Sequence, residues 1–306
     1  MKPHINLKCF ESAVKEKKLG IYSIIILKDG ENIYEKYWKP IERMNQRSIT
    51  KSFTSAAVGF ALKEKLFSLE DFVTDCFQEE LPKSVSPLLG EMKLKHLLTM
   101  TTGFREPVLM GESRIELHKT EKNWVQYVLR QEIDSHPGEK FLYTNAGPYL
   151  LGVLIQRRSG ESLEKYLQQR MLDPLGVPPI ENYERCPMGY MFGAGSLYLN
   201  VEELSRFGQL YLQNGIWNGQ QVLPEGWVDE TKTPRTYSTG DNTVGYTYGY
   251  FFWIGPESKW YYCNGRFEQI CMVIPEKNVV IAVNSHEERP NRLIMHEIVR
   301  NILPEL

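Results

Sequence analysis

Two short patterns in this 306-residue chain bring together groups that could perform acyl transfer: Ser48-Ile49-Thr50-Lys51 and Tyr143-Thr144-Asn145. On a helix, positions i and i+3 share a face, so a serine and a lysine at that spacing approach hydrogen-bonding distance. A lysine held away from water gives up its proton and can then accept the serine's, turning the hydroxyl into a nucleophile. A serine at a helix start also sits at the positive end of the macrodipole, which favours a developing oxyanion. Neither pattern selects a site unaided. Each recurs along the chain, for example as Ser162-Leu163-Glu164-Lys165 and Tyr198-Leu199-Asn200.

Context separates the copies. Ser162 follows Gly160-Glu161 and reads as the N-cap of an exposed, charged helix, while Asn200 opens a capping box, Asn200-Val201-Glu202-Glu203, that commits its amide. Ser48 is followed by Ser52, Phe53, Ala56, Ala57 and Phe60, the small and apolar face of a buried helix. A lysine at the start of such a helix is costly unless it is paired or neutral. Tyr143 lies in the turn-rich stretch Pro137-Gly138-Glu139-Lys140-Phe141-Leu142-Tyr143-Thr144-Asn145, which could hold a side chain in a cleft. The chain has no HExxH, no paired-cysteine metal spacing, no phosphate-binding or dinucleotide-binding glycine loop and no GxSxG elbow. Neither a metal nor a cofactor is expected. The six histidines are scattered, with His96 and His118 read as structural, so a serine nucleophile here needs a base other than histidine.

The elements that must position these groups can be read from periodicity. An amphipathic helix is expected over 5–19, strands over 22–27 and 33–38 around the turn Lys28-Asp29-Gly30-Glu31, and a small-residue helix over 51–65. Residues 66–187 read as mostly helical, most clearly at 150–158 and 163–171. A helix at 203–213 then gives way to aromatic-rich strands at 245–253, 260–263, 268–274 and 279–284, and a closing helix at 292–303. Hairpins rather than crossover helices link those strands, so the expectation is an α/β (α+β) fold: an antiparallel sheet flanked by helices, plus an inserted helical domain. The boundaries follow as 1–47 with 188–306 for a discontinuous α/β domain and 48–187 for the helical one, the active site lying at the junction.

Composition narrows the partner. With 36 basic and 38 acidic residues the formal charge is −2, which gives no footprint for nucleic acid or an anionic membrane. A small neutral or mixed-charge molecule is the expected partner. The five cysteines, Cys9, Cys76, Cys186, Cys263 and Cys271, are odd in number and scattered, as free thiols in a reducing compartment would be. The first residues carry no apolar run of signal-peptide length, and the expected location is the cytoplasm.

Several blocks together resemble a known family. RSITKSFTSAAVGFALKEKLFSLED is similar to the nucleophile helix of the serine β-lactamase-like superfamily, in the branch holding class C β-lactamases, DD-peptidases and related esterases. MKLKHLLTMTTGF, PGEKFLYTNAGPYLLGVLI, GAGSLYLNVEELSRFGQLYLQNG and YYCNGRFEQICMVIPEKNVVIAVNS resemble later blocks of that branch, in family order. The resemblance implies that Ser48 is the acylated nucleophile, Lys51 its base and Tyr143 a proton relay. It implies that Asn145 binds the substrate's carbonyl or amide, that Asn264, Gly265 and Arg266 line the substrate, and that the backbone N–H groups of Ser48 and Arg266 form the oxyanion hole.

The third motif departs from the pattern. Where β-lactamases and DD-peptidases carry Lys-Thr-Gly, this chain has Cys263-Asn264-Gly265, so the cation that holds a substrate carboxylate is missing. Arg266 is the candidate replacement. Glu268 brings a carboxylate close to the site, or forms a solvated pair with Arg266 at the cleft rim. The missing lysine and the missing export signal favour a carboxylesterase or amide hydrolase of a small substrate. The alternatives are a β-lactamase or D-alanyl-D-alanine carboxypeptidase-like protein, and a catalytically idle ligand-binding member of the fold. Among the aromatics Trp217, Trp227, Tyr246, Tyr248, Tyr250, Phe251, Phe252 and Trp253, most are assigned to sheet packing and some to an acyl pocket. The physiological substrate and the oligomeric state stay open.

Overall fold

The β-branched run Ile24-Ile25-Ile26 builds β1 (Ile21–Lys28), and Asp29-Gly30 turns it back onto β2 (Glu31–Tyr37). Both turn residues are left-handed, at φ 53° and 78°, as a tight two-residue hairpin requires. In this computed structural model, which describes residues 5–238 and 247–306, the hairpin forms one edge of an eight-stranded sheet. Two small ladders lie outside it: β3 (Met44–Asn45) with β4 (Tyr198–Leu199), and β5 (Ile216–Trp217) with β6 (Gln220–Gln221). The remaining strands are β7 (Thr236–Tyr237), β8 (Thr247–Tyr248), β9 (Trp253–Ile254), β10 (Tyr261–Gly265), β11 (Gln269–Ile274) and β12 (Val279–Ser285). The order is β2-β1-β12-β11-β10-β9-β8-β7, and every neighbouring pair is antiparallel.

Six helices among the described residues reach nine residues or more: α1 (Lys8–Glu16), α2 (Thr50–Lys63), α3 (Gly111–Thr120), α4 (Ala146–Ser159), α5 (Val201–Leu212) and α6 (Leu293–Asn301). Alternation along the strands splits the sheet's side chains between two cores. Ile24, Ile26, Met272 and Ile281 pack with Phe10 of α1 and Ile294 and Ile298 of α6, while Ile25, Cys271, Val273 and Val280 pack with α2 and α5. β11 and β12 are buried on both faces, which accounts for their unbroken apolar sequences. The expected fold class therefore holds.

Local expectations fare unevenly. The segment 66–187 is less helical than its sequence suggests, because Pro82, Pro87, Pro107, Pro137 and Pro174 break it into single turns and loops around α3 and α4. The helix expected at 163–171 runs from Leu163 to Leu167 and then widens into a π-turn, Gln168–Leu172. Ser162 does occupy its N-cap, but its hydroxyl makes no capping bond, and the helix is exposed on one side only, burying Leu163, Tyr166 and Leu167. The strand expected at 245–253 begins outside the described residues, Tyr246 included, and its described part forms β8 and β9. No helix among the described residues is long and apolar enough to cross a membrane.

Candidate active site

Ser48 belongs to a short 3-10 turn, Arg47–Ile49, that leads into α2, with Lys51 in the first turn of the α-helix proper. In a 3-10 turn positions i and i+3 eclipse, so the lead-in aligns the two side chains. Lys51 Nζ lies 2.9 Å from Ser48 Oγ and donates to the Ala194 carbonyl at 3.1 Å. Ser48 is half-buried, whereas Lys51 is only 1 % exposed. The serine is thus partly open to solvent and the lysine lies beneath it. Burial, reinforced by the nearby Arg114 guanidinium, lowers the Lys51 pKa to about 7.

The approach to Ser48 is held under strain. Arg47 has φ 53°, an unfavourable left-handed value for a side-chain-bearing residue. The fully buried Gln46 side chain fixes the turn from behind, donating to the carbonyls of Met44 and Leu199 and to Asn284 Oδ1. Thr50 Oγ1 donates to the Arg47 carbonyl and accepts the Leu197 N–H. Ser52 and Thr54 donate to the carbonyls of Phe251 and Gly193, which ties the buried helix to two neighbouring loops.

Tyr143 reaches the same place from a loop zipped onto another loop. The Leu142 and Gly138 N–H groups donate to the carbonyls of Met100 and Thr101, and Thr144 Oγ1 bonds both the carbonyl and the N–H of Val108. The segment MKLKHLLTMTTGF is in effect the scaffold of the tyrosine loop. The phenol lies beside Ser48, near enough for the hydroxyl to bear on its protonation, and Lys51 Nζ lies 5.0 Å from the ring centroid. Burial pushes the phenol up to about 12, against the opposing pull of Ser48 and the Arg292 guanidinium.

Asn145 is 6 % exposed beside these groups. Its Nδ2 donates to the Leu109 carbonyl at 2.8 Å, while the buried Oδ1 has no partner. The unpartnered Oδ1 is an acceptor suited to an N–H, and Nδ2 carries a second hydrogen beyond the one given to Leu109.

The third motif occupies the open edge of β10. Among the described residues β9 pairs with Tyr261 and Tyr262 alone, so no described strand covers that edge of Cys263, Asn264 and Gly265, which lies beside Tyr143. Gly265 is needed for close approach, since a Cβ there would lie 2.2 Å from the Gln46 carbonyl oxygen. Arg266 is exposed and stacks on Phe267, with Arg47 on the same ring. The rim position expected for Glu268 is wrong. It is buried, and its carboxylate accepts the Ile294 and Met295 N–H groups at 3.1 and 3.0 Å, capping the start of α6. Left-handed φ values at Phe267 and Glu268 turn the carboxylate away from the cleft toward that helix.

Periodicity gave no signal for several neighbours of the phenol. Trp253 stacks on Tyr143 at 6.0 Å and 16°, and Tyr248 meets it edge-on at 6.2 Å. Arg292 Nη1 donates to the Tyr262 hydroxyl at 2.9 Å, with the guanidinium 5.2 Å from the Trp253 ring. Arg114 forms a two-bond ion pair with Glu184. Of the other copies, Lys165 is 59 % exposed beside Glu161, and Asn200 and Glu203 exchange both bonds of a capping box. His96 accepts the Lys93 N–H, and His118 lies against the Arg185 carbonyl. No cluster of His, Cys, Asp and Glu that could hold a metal occurs among the described residues.

Comparison with known proteins adds the following. A family model described as Beta-lactamase matches residues 8–299. A curated protein of Alkalihalophilus pseudofirmus, described as uncharacterized, is 22 % identical over 259 residues, covering 73 % of this chain and 69 % of its own. Other curated relatives align over about half of this chain, which spans only a third of their length. Among solved structures, a candidate 6-aminohexanoate-dimer hydrolase from Bacillus anthracis superposes with TM-score 0.79 at 20 % identity, covering 96 % of this chain and 80 % of that one. An octameric penicillin-binding protein homologue from Pyrococcus abyssi gives 0.80 at 22 %, covering 98 % and 78 %.

Proposed function

Because the chain belongs to the beta-lactamase family, we propose that it is a serine hydrolase that forms an acyl-enzyme on Ser48, acting on a small ester or amide. The observation that carries this reading is the placing of Ser48 Oγ beside both a lysine of lowered pKa and a protonated phenol. Two candidate bases flank the hydroxyl, and their proton affinities decide between them. A phenol at about 12 stays protonated near neutrality, whereas a lysine at about 7 is half neutral there. Lys51 is therefore the base and Tyr143 a donor.

In the proposed cycle, Lys51 takes the Ser48 proton as Oγ attacks the acyl carbonyl, and the oxyanion faces the N–H groups of Ser48 and Arg266. Preorganised donors of this kind are worth about 3–4 kcal/mol each in the barrier. The C–O or C–N bond then breaks, Tyr143 protonates the leaving group, and Lys51 restores the phenol's proton. Water repeats the sequence in reverse and releases the acid. Asn145 Oδ1 receives a substrate N–H or the lysine, and the β10 edge at Asn264 and Gly265 lines the substrate. We retain the division into 1–47 with 188–306 and 48–187, which puts the three groups at a junction, and a cytoplasmic location, in keeping with five free thiols.

Intact-protein mass spectrometry after incubation with a fluorophosphonate or a p-nitrophenyl ester tests this. One adduct is expected, absent in Ser48→Ala. An adduct that persists in that variant would move the nucleophile elsewhere. Turnover of nitrocefin, or labelling of Ser48 by a fluorescent penicillin, would favour the β-lactamase or carboxypeptidase alternative.

A further inference from the structure

Away from Ser48, on the face of the sheet opposite α2, α1 and the end of β2 enclose a groove of about 650 Å³. Lys8, Glu11, Ser12 and Lys15 recur at helical spacing and form one wall. Lys36 and Trp38, two residues apart on the strand face turned toward α1, form the other. Buried Val14, Leu19 and Ile21 complete its floor, and exposed Lys18 and Lys39 its rim.

Five lysines thus meet one carboxylate, in a chain whose formal charge is −2. That carboxylate is committed, since Glu11 accepts the Tyr34 hydroxyl on Oε1 and pairs with Lys36 through Oε2. Lys8, Lys15, Lys18 and Lys39 have no carboxylate partner among the described residues, whereas Lys17, Lys93, Lys95 and Lys259 each have one. The helix dipole explains only part of this. It favours Lys15 and Lys18 at the C-terminal end of α1, but it opposes Lys8, the first residue of the helix, and does not act on Lys39. Lys18 is also held in place at a cost. The Leu19 and Lys18 N–H groups donate to the Val14 and Lys15 carbonyls, a helix ending whose left-handed position usually holds glycine, and Lys18 fills that position at φ 50°.

We propose that this groove binds a nucleoside polyphosphate, with the base on Trp38 and the phosphates among the lysines. All five cations are lysines, compact point charges that suit phosphate, and none is the planar fork that matches a carboxylate. The Trp38 ring is half-buried with Lys36 Nζ 5.6 Å from its centroid, so a stacking surface lies next to the charges. From Lys8 to Lys15 the helix advances only about 10 Å, roughly three residues of an extended peptide, which favours a compact ligand over a bound segment. The volume is that of a small-molecule site. Val14, Leu19 and Ile21 are sunk in the floor, out of reach of a lipid surface.

Isothermal titration calorimetry of the full chain at about 0.15 M salt, with ATP, adenosine and inorganic triphosphate as probes, tests this. ATP is expected to bind about tenfold more tightly than triphosphate, the size of one base stacked on an aromatic ring, and more tightly than adenosine. Trp38→Ala should remove the advantage of ATP over triphosphate, and Trp38→Phe should keep part of it, with melting temperatures confirming that both variants fold. Lys15→Gln combined with Lys39→Gln should weaken ATP and triphosphate alike by about three- to tenfold. Ser48→Ala should leave binding unchanged, which separates this groove from the hydrolase site. Absence of ATP binding, triphosphate binding as tight as ATP, or affinity untouched by the paired lysine substitutions overturns the proposal. Binding of phosphatidylserine vesicles in place of ATP would also overturn it and give the groove to a lipid surface.

Discussion

Lys51 Nζ donates to the Ala194 carbonyl at 3.1 Å, a bond that only the lysine can donate. When the amine is neutral, that bond orients it so that a lone pair can be presented to Ser48 Oγ, 2.9 Å away. The carbonyl belongs to the Gly193-Ala194-Gly195 loop, which Thr54 also anchors from α2, so helix and loop together fix the direction of proton transfer.

The pH dependence of kcat/KM for a neutral ester should follow that lysine. Below about pH 7 Lys51 is protonated and cannot accept the Ser48 proton. The rate should rise as pH passes through that value and then level off. Tyr143, held up to about 12, contributes no falling limb below about pH 10. Initial rates between pH 5 and 10 check this, and a profile that falls from pH 6 to 8 would contradict the assignment of the base.

Arg114 should shift that profile. Its positive charge helps to keep Lys51 neutral, and removing it in Arg114→Gln also leaves Glu184 without its partner. Both changes favour the ammonium, so the rising limb should move to higher pH, whereas Arg114→Lys should move it less. A limb that stays in place in Arg114→Gln would assign the lowered pKa to burial alone.

Tyr143→Phe keeps the ring that Trp253 and Tyr248 pack against but removes the proton donor. The melting temperature should change little and kcat should fall about 10²–10⁴-fold, the range for losing a positioned acid. Retention of most of the activity would remove the phenol from the mechanism.

Gly265→Ala should damage fold and function together. The new methyl would meet the Gln46 carbonyl oxygen at 2.2 Å, forcing β10 away from the turn that carries Ser48. Overpacking of this kind costs about 1–3 kcal/mol, read as a lowered melting temperature. Acylation should slow beyond what that loss of stability explains, because the open strand edge moves relative to the nucleophile.

The parts legible in the sequence were those with local causes. Apolar, β-branched runs bounded by turn residues revealed β1, β2, β11 and β12, and the Asn200–Glu203 capping box located α5. The choice of Ser48 over Ser162 followed from the small, apolar face of α2, whose buried positions made Lys51 anomalous. The illegible parts depend on chain folding back over long distances. Arg292 comes to Trp253 and Tyr262 because α6 packs across the sheet, and no spacing near residue 292 signals that contact. Glu268 misled for the same reason. Its neighbours in sequence belong to the third motif, while two left-handed residues turn its carboxylate to the N–H groups of Ile294 and Met295.

The central claim is that Lys51 loses its proton near neutrality, and the ¹³Cε chemical shift of its side chain, followed by NMR as a function of pH and assigned with Lys51→Arg, reads this directly. A single titration centred at about 7 is predicted. A midpoint near the ordinary lysine value of 10.5 would leave Ser48 facing an ammonium at physiological pH and would contradict the account.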